Sequence, residues 1–140
     1  MKVSDSNVKH LKFCDALGRL IQEIKGNDHG TWHTITAEQG QTYVGFQETH
    51  DGSRLRAIGF QTMKQNIQSL QQENAIDSLS MSAVFGMTYL SPIKCWPSVD
   101  ELRAKSKETL NQLKFTKVEW NVTNIIYSIR FTLSDGSVSP

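Results

Sequence analysis

Apolar positions along this 140-residue chain change their period twice. From residue 7 to 62 they come in short runs broken by turn residues. Val8–Phe13 and Arg19–Ile24 are apolar-rich and separated by Asp15–Gly18, and Gly26–Gly30 is a turn cluster. Thr31–Thr36 favours strand, with Trp32, Thr34 and Thr36 on one face and Thr31, His33 and Ile35 on the other. A second turn, Ala37–Gln41, leads into Thr42–Gln61, which reads as strand, polar turn, strand. There Val44 and Phe46 share a period-two apolar face, Leu55, Ala57 and Gly59 alternate with Arg56, Ile58 and Phe60, and Asp51-Gly52 suits the turn. Gly45 and Gly59 weaken a strand interior unless a bulge or a close backbone approach calls for them.

From 64 to 114 the pattern is helical or irregular. Lys64–Asp77 is glutamine-rich, with Ile67 and Leu70 at helical spacing on a thin apolar stripe, suiting a linker or a surface helix. Ser80–Cys95 is apolar without a period, and Pro92 and Pro97 interrupt this region. Ser98-Val99-Asp100-Glu101 forms a capping box, in which the Ser hydroxyl and the Glu carboxylate satisfy free helix-start amides. Val99, Leu102, Ser106, Leu110 and Leu113 then follow at helical steps, predicting a helix. From 115 to 140 the period returns to two: Val118, Trp120 and Val122, then Ile125, Tyr127, Ile129, Phe131 and Leu133, closed by Ser134-Asp135-Gly136. Val8, Leu11, Lys12, Phe13 and Gly18 align without gaps to Ile126, Ile129, Arg130, Phe131 and Gly136, which is either a repeat or the shared look of two strand-turn units.

These elements predict one mainly β domain over 1–140, with antiparallel sheets from β segments 7–62 and 115–140 and a helical or irregular insertion between. Hydrophobic residues at 38% and charged residues at 21% fit a soluble globular chain. Fifteen basic against fourteen acidic residues leave a formal charge of +1, so no global field draws nucleic acid or acidic membrane. No run reaches the roughly 20 apolar residues of a membrane span. The first twenty residues are too polar for a signal-peptide core, so a cytoplasmic, reducing setting is expected, with association to the cytoskeleton or another large assembly open. The Asn121-Val122-Thr123 sequon then reads as chance.

The Thr42–Gln61 hairpin, and Val44-Gly45-Phe46 with Leu55–Gly59 above all, resembles the closing hairpin of jacalin-like lectin domains. Val8–Gln61 looks like the later part of such a domain and Asn124–Pro140 like an earlier strand of one, together about half of the chain. The resemblance implies a β-prism of three antiparallel sheets with pseudo-threefold symmetry, or a β-sandwich-type packing of such sheets. The order is unusual. It fits a domain permuted around an insertion, a piece of a larger protein, or a fold completed by a neighbouring subunit. An unfinished sheet invites pairing, so the last strand is expected beside the Val8 region or beside another chain. In the family this hairpin's loop offers backbone amides and one aspartate to sugar hydroxyls. The matching positions are Gly52, Ser53, Arg54, Leu55 and Arg56, and Arg56 stands where the aspartate would be. Arginine donates and cannot accept. Asp51 could substitute, and Arg54 and Arg56 read either as a solvated surface pair or as a holder of a carboxylate or phosphate.

No other constellation carries chemistry. His29 and His33 have zinc-type spacing only on a helix, and Gly30 between them argues for a turn, so no metal is expected. Cys14 near His10 lacks the third orienting group of an activated thiol, and Cys14 and Cys95 are too far apart for a metal-type pair. No phosphate loop, dinucleotide fingerprint or nucleophile elbow occurs. Phe85, Met87, Tyr89, Leu90, Ile93 and Trp96 form an apolar cluster that is either a core for the insertion or a docking surface. The expected role is a non-catalytic, jacalin-like interaction or structural module in a larger assembly, without cofactor, contacting protein partners through strand edges, the helical segment and the Asp51, Gly52, Ser53, Arg54 and Arg56 loop. The alternative is a carbohydrate-binding lectin using residues 51–56.

Overall fold

The computed structural model describes residues 1–3, 7–15, 17–26, 31–36, 41–51, 54–64, 78–87, 92–122 and 125–140. Several expectations fall outside them: the turn at 27–30 with His29, the turn at 37–40, Gly52 and Ser53, the glutamine-rich 65–77 with Ile67 and Leu70, Tyr89 and Leu90, and Thr123 and Asn124. The alternating stretches form strands, and every strand pair is antiparallel. Strands β1 (Lys2–Val3), β2 (Val8–Cys14), β3 (Leu20–Lys25) and β4 (Thr31–Trp32) form a sheet in the order β3-β2-β1-β4. The long hairpin β5 (Gln41–His50) and β6 (Leu55–Lys64) is flanked by β7 (Ser80–Met81), β8 (Phe85–Gly86) and β9 (Lys94–Trp96), in the order β7-β6-β5-β9 with β8 also on β6. Strands β10 (Phe115–Val122) and β11 (Ile126–Leu133) make a two-stranded sheet, and Val138 bridges to Thr132 on the far side of β11.

The three sheets share one repeated device. In β2, Val8 and His10 face consecutive residues of β1, which leaves Lys9 as an extra residue. In β6, Leu55 and Ala57 face consecutive residues of β5, and Arg56 is extra. In β11, Ile126 and Ser128 face consecutive residues of β10, and Tyr127 is extra. Such a bulge shifts the side-chain alternation by one, so residues three apart point the same way. Val8, Leu11 and Phe13, then Leu55, Ile58 and Phe60, then Ile126, Ile129 and Phe131 all enter one core. The rings of Phe13, Phe60 and Phe131 form a near-equilateral triangle, with centroids 6.4, 6.1 and 6.0 Å apart and every pair edge-on. Aromatic rings prefer this edge-to-face arrangement. The β2–β11 repeat is therefore structural, and Gly18 and Gly136, which follow its two strands, both sit at positive φ. β6 is a third member that the sequence alignment does not find.

The bulges revise the faces expected from strict alternation. A further bulge at Val44 sends Tyr43 and Phe46 to the first core and Val44 to a second one, so Val44 and Phe46 do not share a face. Tyr127 does not join Ile129 and Phe131, because the shift makes Ile126 the inward residue. β6 is buried on both faces. A side chain at Gly59 would meet the Ala83 carbonyl at 2.7 Å, and one at Gly45 would meet the Trp96 carbonyl at 2.6 Å, so both strand glycines permit close backbone crossings. The strand expected over Thr31–Thr36 ends at Trp32. The chain then hands its groups to Met1, whose amine donates to the His33 carbonyl at 3.0 Å, and to Tyr43, whose hydroxyl donates to the Ile35 carbonyl at 2.9 Å. The last strand pairs with β10, not with the Val8 strand. The Leu133 amide is bound to the Ser137 carbonyl and the Phe131 amide to the Ser139 hydroxyl.

The stretch 64–114, expected to be helical or irregular, supplies β7, β8 and β9 in its described part, then two helices where one is predicted: α1 (Val99–Arg103) and α2 (Lys107–Gln112). The Ser98 capping box forms as expected. Ser106, read as a position inside one helix, instead caps a second one by accepting from the Thr109 amide at 3.2 Å. A short polar side chain that binds a nearby amide breaks a helix as readily as it starts one. Leu102, Leu110 and Leu113 pack with Val44, Met63 and Leu133 in the second core, which lies at the end of the sheets where β6 and β11 finish. Lys105 ties this helical pair to the following turn, reaching the Asp135 carboxylate and the Ser137 hydroxyl, the latter at 2.8 Å.

Two measurements follow from this packing. Phe131→Ala removes one corner of the ring triangle and is expected to cost about 3–5 kcal/mol in urea unfolding, while Phe131→Leu costs less than half of that. The Asp135 carboxyl is raised by burial, but Lys105 and the Ser137 hydroxyl and amide outweigh this and hold it below its ordinary 3.8. Its folded value is depressed, so the stability it adds is present above pH 3.8 and fades as pH falls through the lower folded value. Thermal melts of Asp135→Asn are expected to lose less on acidification than those of the wild type.

Candidate functional site

The strand registers bring several turns to one end of the molecule. His50 faces Leu55 across the β5–β6 loop, Val122 faces Ile126 across the β10–β11 turn, and the start of β2 lies beside the end of β3. The second core closes the opposite end, and this loop-bearing end gathers polar side chains.

Two of the residues expected to bind meet here directly. Because Arg56 is the bulge residue of β6, its side chain leaves the strand alternation and turns to the loop. Its Nε donates to Asp51 Oδ2 at 2.8 Å, and its Nη2 lies 2.6 Å from the same oxygen. Its Nη1 donates to Asn7 Oδ1 at 3.2 Å, which ties the loop to the entrance of β2. The other Asp51 oxygen accepts from the Arg54 amide at 3.0 Å. The carboxylate that could replace the family's aspartate is thus engaged on both oxygens. Arg54 keeps a buried Nε–H without a hydrogen-bond partner among the described residues. Gly52 and Ser53 lie outside the described residues.

Asn7 escaped the sequence reading, and His50 was not counted with the loop. Asn7 stands before a strand with nothing to mark it, whereas His50 adjoins Asp51 and could have been included in the loop set. His50 Nε2 donates to the Tyr127 carbonyl at 2.7 Å and so satisfies a group that the β11 bulge turns away from its ladder. The other two bulges are met by backbone: Gly26 donates to the Lys9 carbonyl at 2.9 Å and Met87 to the Arg56 carbonyl at 3.1 Å. Glu48, two residues before His50, is pushed up from its ordinary 4.5 by burial, against the pull of His50 and Lys94.

The other candidates do not gather into a site. His33 stacks on Phe85, with ring centroids 4.3 Å apart and planes 18° from parallel. His29 lies outside the described residues. Among the described residues no three metal-ligating side chains come together. His10 donates to Glu23 at 2.6 Å and packs against Trp32, so its partner is a carboxylate and not Cys14. Cys14 is exposed and Cys95 half-buried, both as free thiols, and burial pushes the Cys95 thiol up. Of the expected apolar cluster, Trp96 packs into both cores while Ile93 is exposed. No helix among the described residues is long and apolar enough to cross a membrane. No family model matches the chain, and neither does any curated protein or solved structure.

Glu48 gives this end a measurable signature. Its folded value is raised, so the folded state holds a proton that the unfolded chain has released, and stability falls as pH rises from 4.5 through the folded value. Glu48→Gln is expected to match the wild type in chemical unfolding at pH 4 and to exceed it at pH 7.

Proposed function

We propose that this chain is a non-catalytic, jacalin-like contact module within a larger protein assembly. The three sheets, with their matching bulged strands and shared phenylalanine triangle, support the β-prism reading that the hairpin resemblance suggested. One observation carries the functional half of the proposal: the Arg56 guanidinium occupies Asp51, with its Nε at 2.8 Å and its Nη2 at 2.6 Å. A neutral sugar needs a carboxylate with free acceptor capacity, and both oxygens of this one already accept from the protein itself. A partner protein needs apolar contact instead. At the end of the molecule opposite the loop, Leu17, Leu20 and Ile21 give the β2–β3 hairpin an exposed apolar tip, at 78, 52 and 67% exposure. Clustered exposure of large aliphatic residues marks contact surfaces.

A glycan array and a photo-crosslinking experiment test this together. The wild type is expected to bind no neutral glycan. A crosslinking residue at Leu20 is expected to trap one defined protein from the native source, and Ile21→Lys to abolish the capture. Saturable binding of a neutral sugar that disappears in Asp51→Asn would overturn the proposal in favour of a lectin.

A further inference from the structure

The repeated unit exposes an unfilled position. Each bulged strand has a neighbour that precedes it and faces its bulge: β1 for β2, β5 for β6 and β10 for β11. Each also has a neighbour that follows it: β3, then β7 and β8, and in the third sheet only the bridge at Val138. Beyond the preceding neighbour, two sheets carry one more antiparallel strand. β4 lies outside β1, and β9 lies outside β5, with Trp96 opposite Phe46. Outside β10 there is no strand among the described residues.

This edge of β10, beside which no strand lies among the described residues, is built for pairing. Val118 faces Phe131, and the Phe131 N–H and C=O both go to Ser139 on the other side of β11. Val118 and Phe131 are therefore a non-hydrogen-bonded pair, which turns the Val118 N–H and C=O outward, and by alternation those of Trp120 as well. On the inner face Trp120 is 38% exposed between Val118 and Val122, which pack partly against the core. On the outer face Lys117 is 63% exposed and lies 3.7 Å from Glu119, whose main partner is Arg130 at 3.0 Å.

We infer that this edge receives the β10 strand of a second copy of the chain, antiparallel and centred on Val118. In that register Val118 exchanges both hydrogen bonds with its symmetry mate, and Trp120 falls opposite Thr116 of the other copy, the residue at which β10 carries a bulge of its own. Lys117 falls opposite Glu119 twice, once on each side of the two-fold axis. Centring on Glu119 or on Lys117 would instead oppose like charges, which destabilises a cross-strand pair. Trp120 lies diagonal to the other copy's Val118 and is covered by it. A single two-fold contact of this kind closes on itself and makes a dimer, not a fibre. The added strand occupies the place that β4 and β9 hold in the other sheets.

Sedimentation and light scattering over a range of protein concentrations, with hydrogen exchange read at single amides, test the inference. The wild type is expected to reach twice the chain mass, and its Val118 amide to gain protection as the dimer forms. Lys117→Glu places carboxylates opposite each other twice and should weaken the dimer at least about tenfold. The double exchange Lys117→Glu with Glu119→Lys should restore it. A monomer at every concentration overturns the proposal, as does a dimer indifferent to Lys117→Glu. A monomer with a protected Val118 amide also overturns it, because a segment of the same chain would then cover the edge. The inference goes beyond the contact-module reading: a monomeric protein would leave that reading to the glycan and crosslinking results, and a sugar-binding dimer would leave this one intact.

Discussion

The contact of Phe13, Phe60 and Phe131 is the constraint on which the fold depends. Three strands from three sheets must each bring a phenylalanine to the same point. A flat strand with strict alternation would present its apolar residues along one straight line and could not also curl its sheet around a shared centre. The bulges at Lys9, Arg56 and Tyr127 supply the added twist and bend, and each does so five or fewer residues from its ring. Phe46 and Phe115 then pack on Phe131, and Tyr43 on Phe60, so the triangle seeds a larger aromatic cluster.

The same device shapes the candidate site. A bulge turns one side chain and one carbonyl out of the ladder, and both need partners. At Arg56 the side chain finds Asp51 and Asn7, and the carbonyl finds the Met87 amide. At Tyr127 the carbonyl finds His50. The polar network at the loop-bearing end is thus assembled largely from groups displaced by core packing. That is why an arginine in this position neutralises a neighbouring carboxylate in place of leaving it open to a ligand.

The long strands are legible in the sequence, because β-branched and aromatic runs between turn residues point to strands whatever their neighbours do, whereas the short β1, β7, β8 and β9 are not. Nor are strand faces. Val44 with Phe46, and Tyr127 with Ile129, looked like pairs on one face until a one-residue bulge separated them, and a bulge here leaves no compositional mark beyond a nearby glycine at Gly45. The β2–β11 repeat could be seen because its glycine follows at the same distance. The β6 copy could not, since its strand runs on to Lys64 without a turn. Ser98 announces a helix start, but Ser106 looks like one more polar position although it obeys the same chemistry. Arg56 and Asp51 stand out in the sequence, but their mutual neutralisation depends on the bulge and is hidden there.

The second core has an implication for how the molecule could diversify. Val44, Met63, Leu102, Leu110, Leu113 and Leu133 stopper one mouth of the three-sheet body, and Lys105 latches the stopper to the chain that follows. With that mouth sealed, the opposite rim can lengthen, shorten or change charge without loosening either apolar centre. Specificity could then be rewritten at the tips while the barrel-like frame beneath them stays the same.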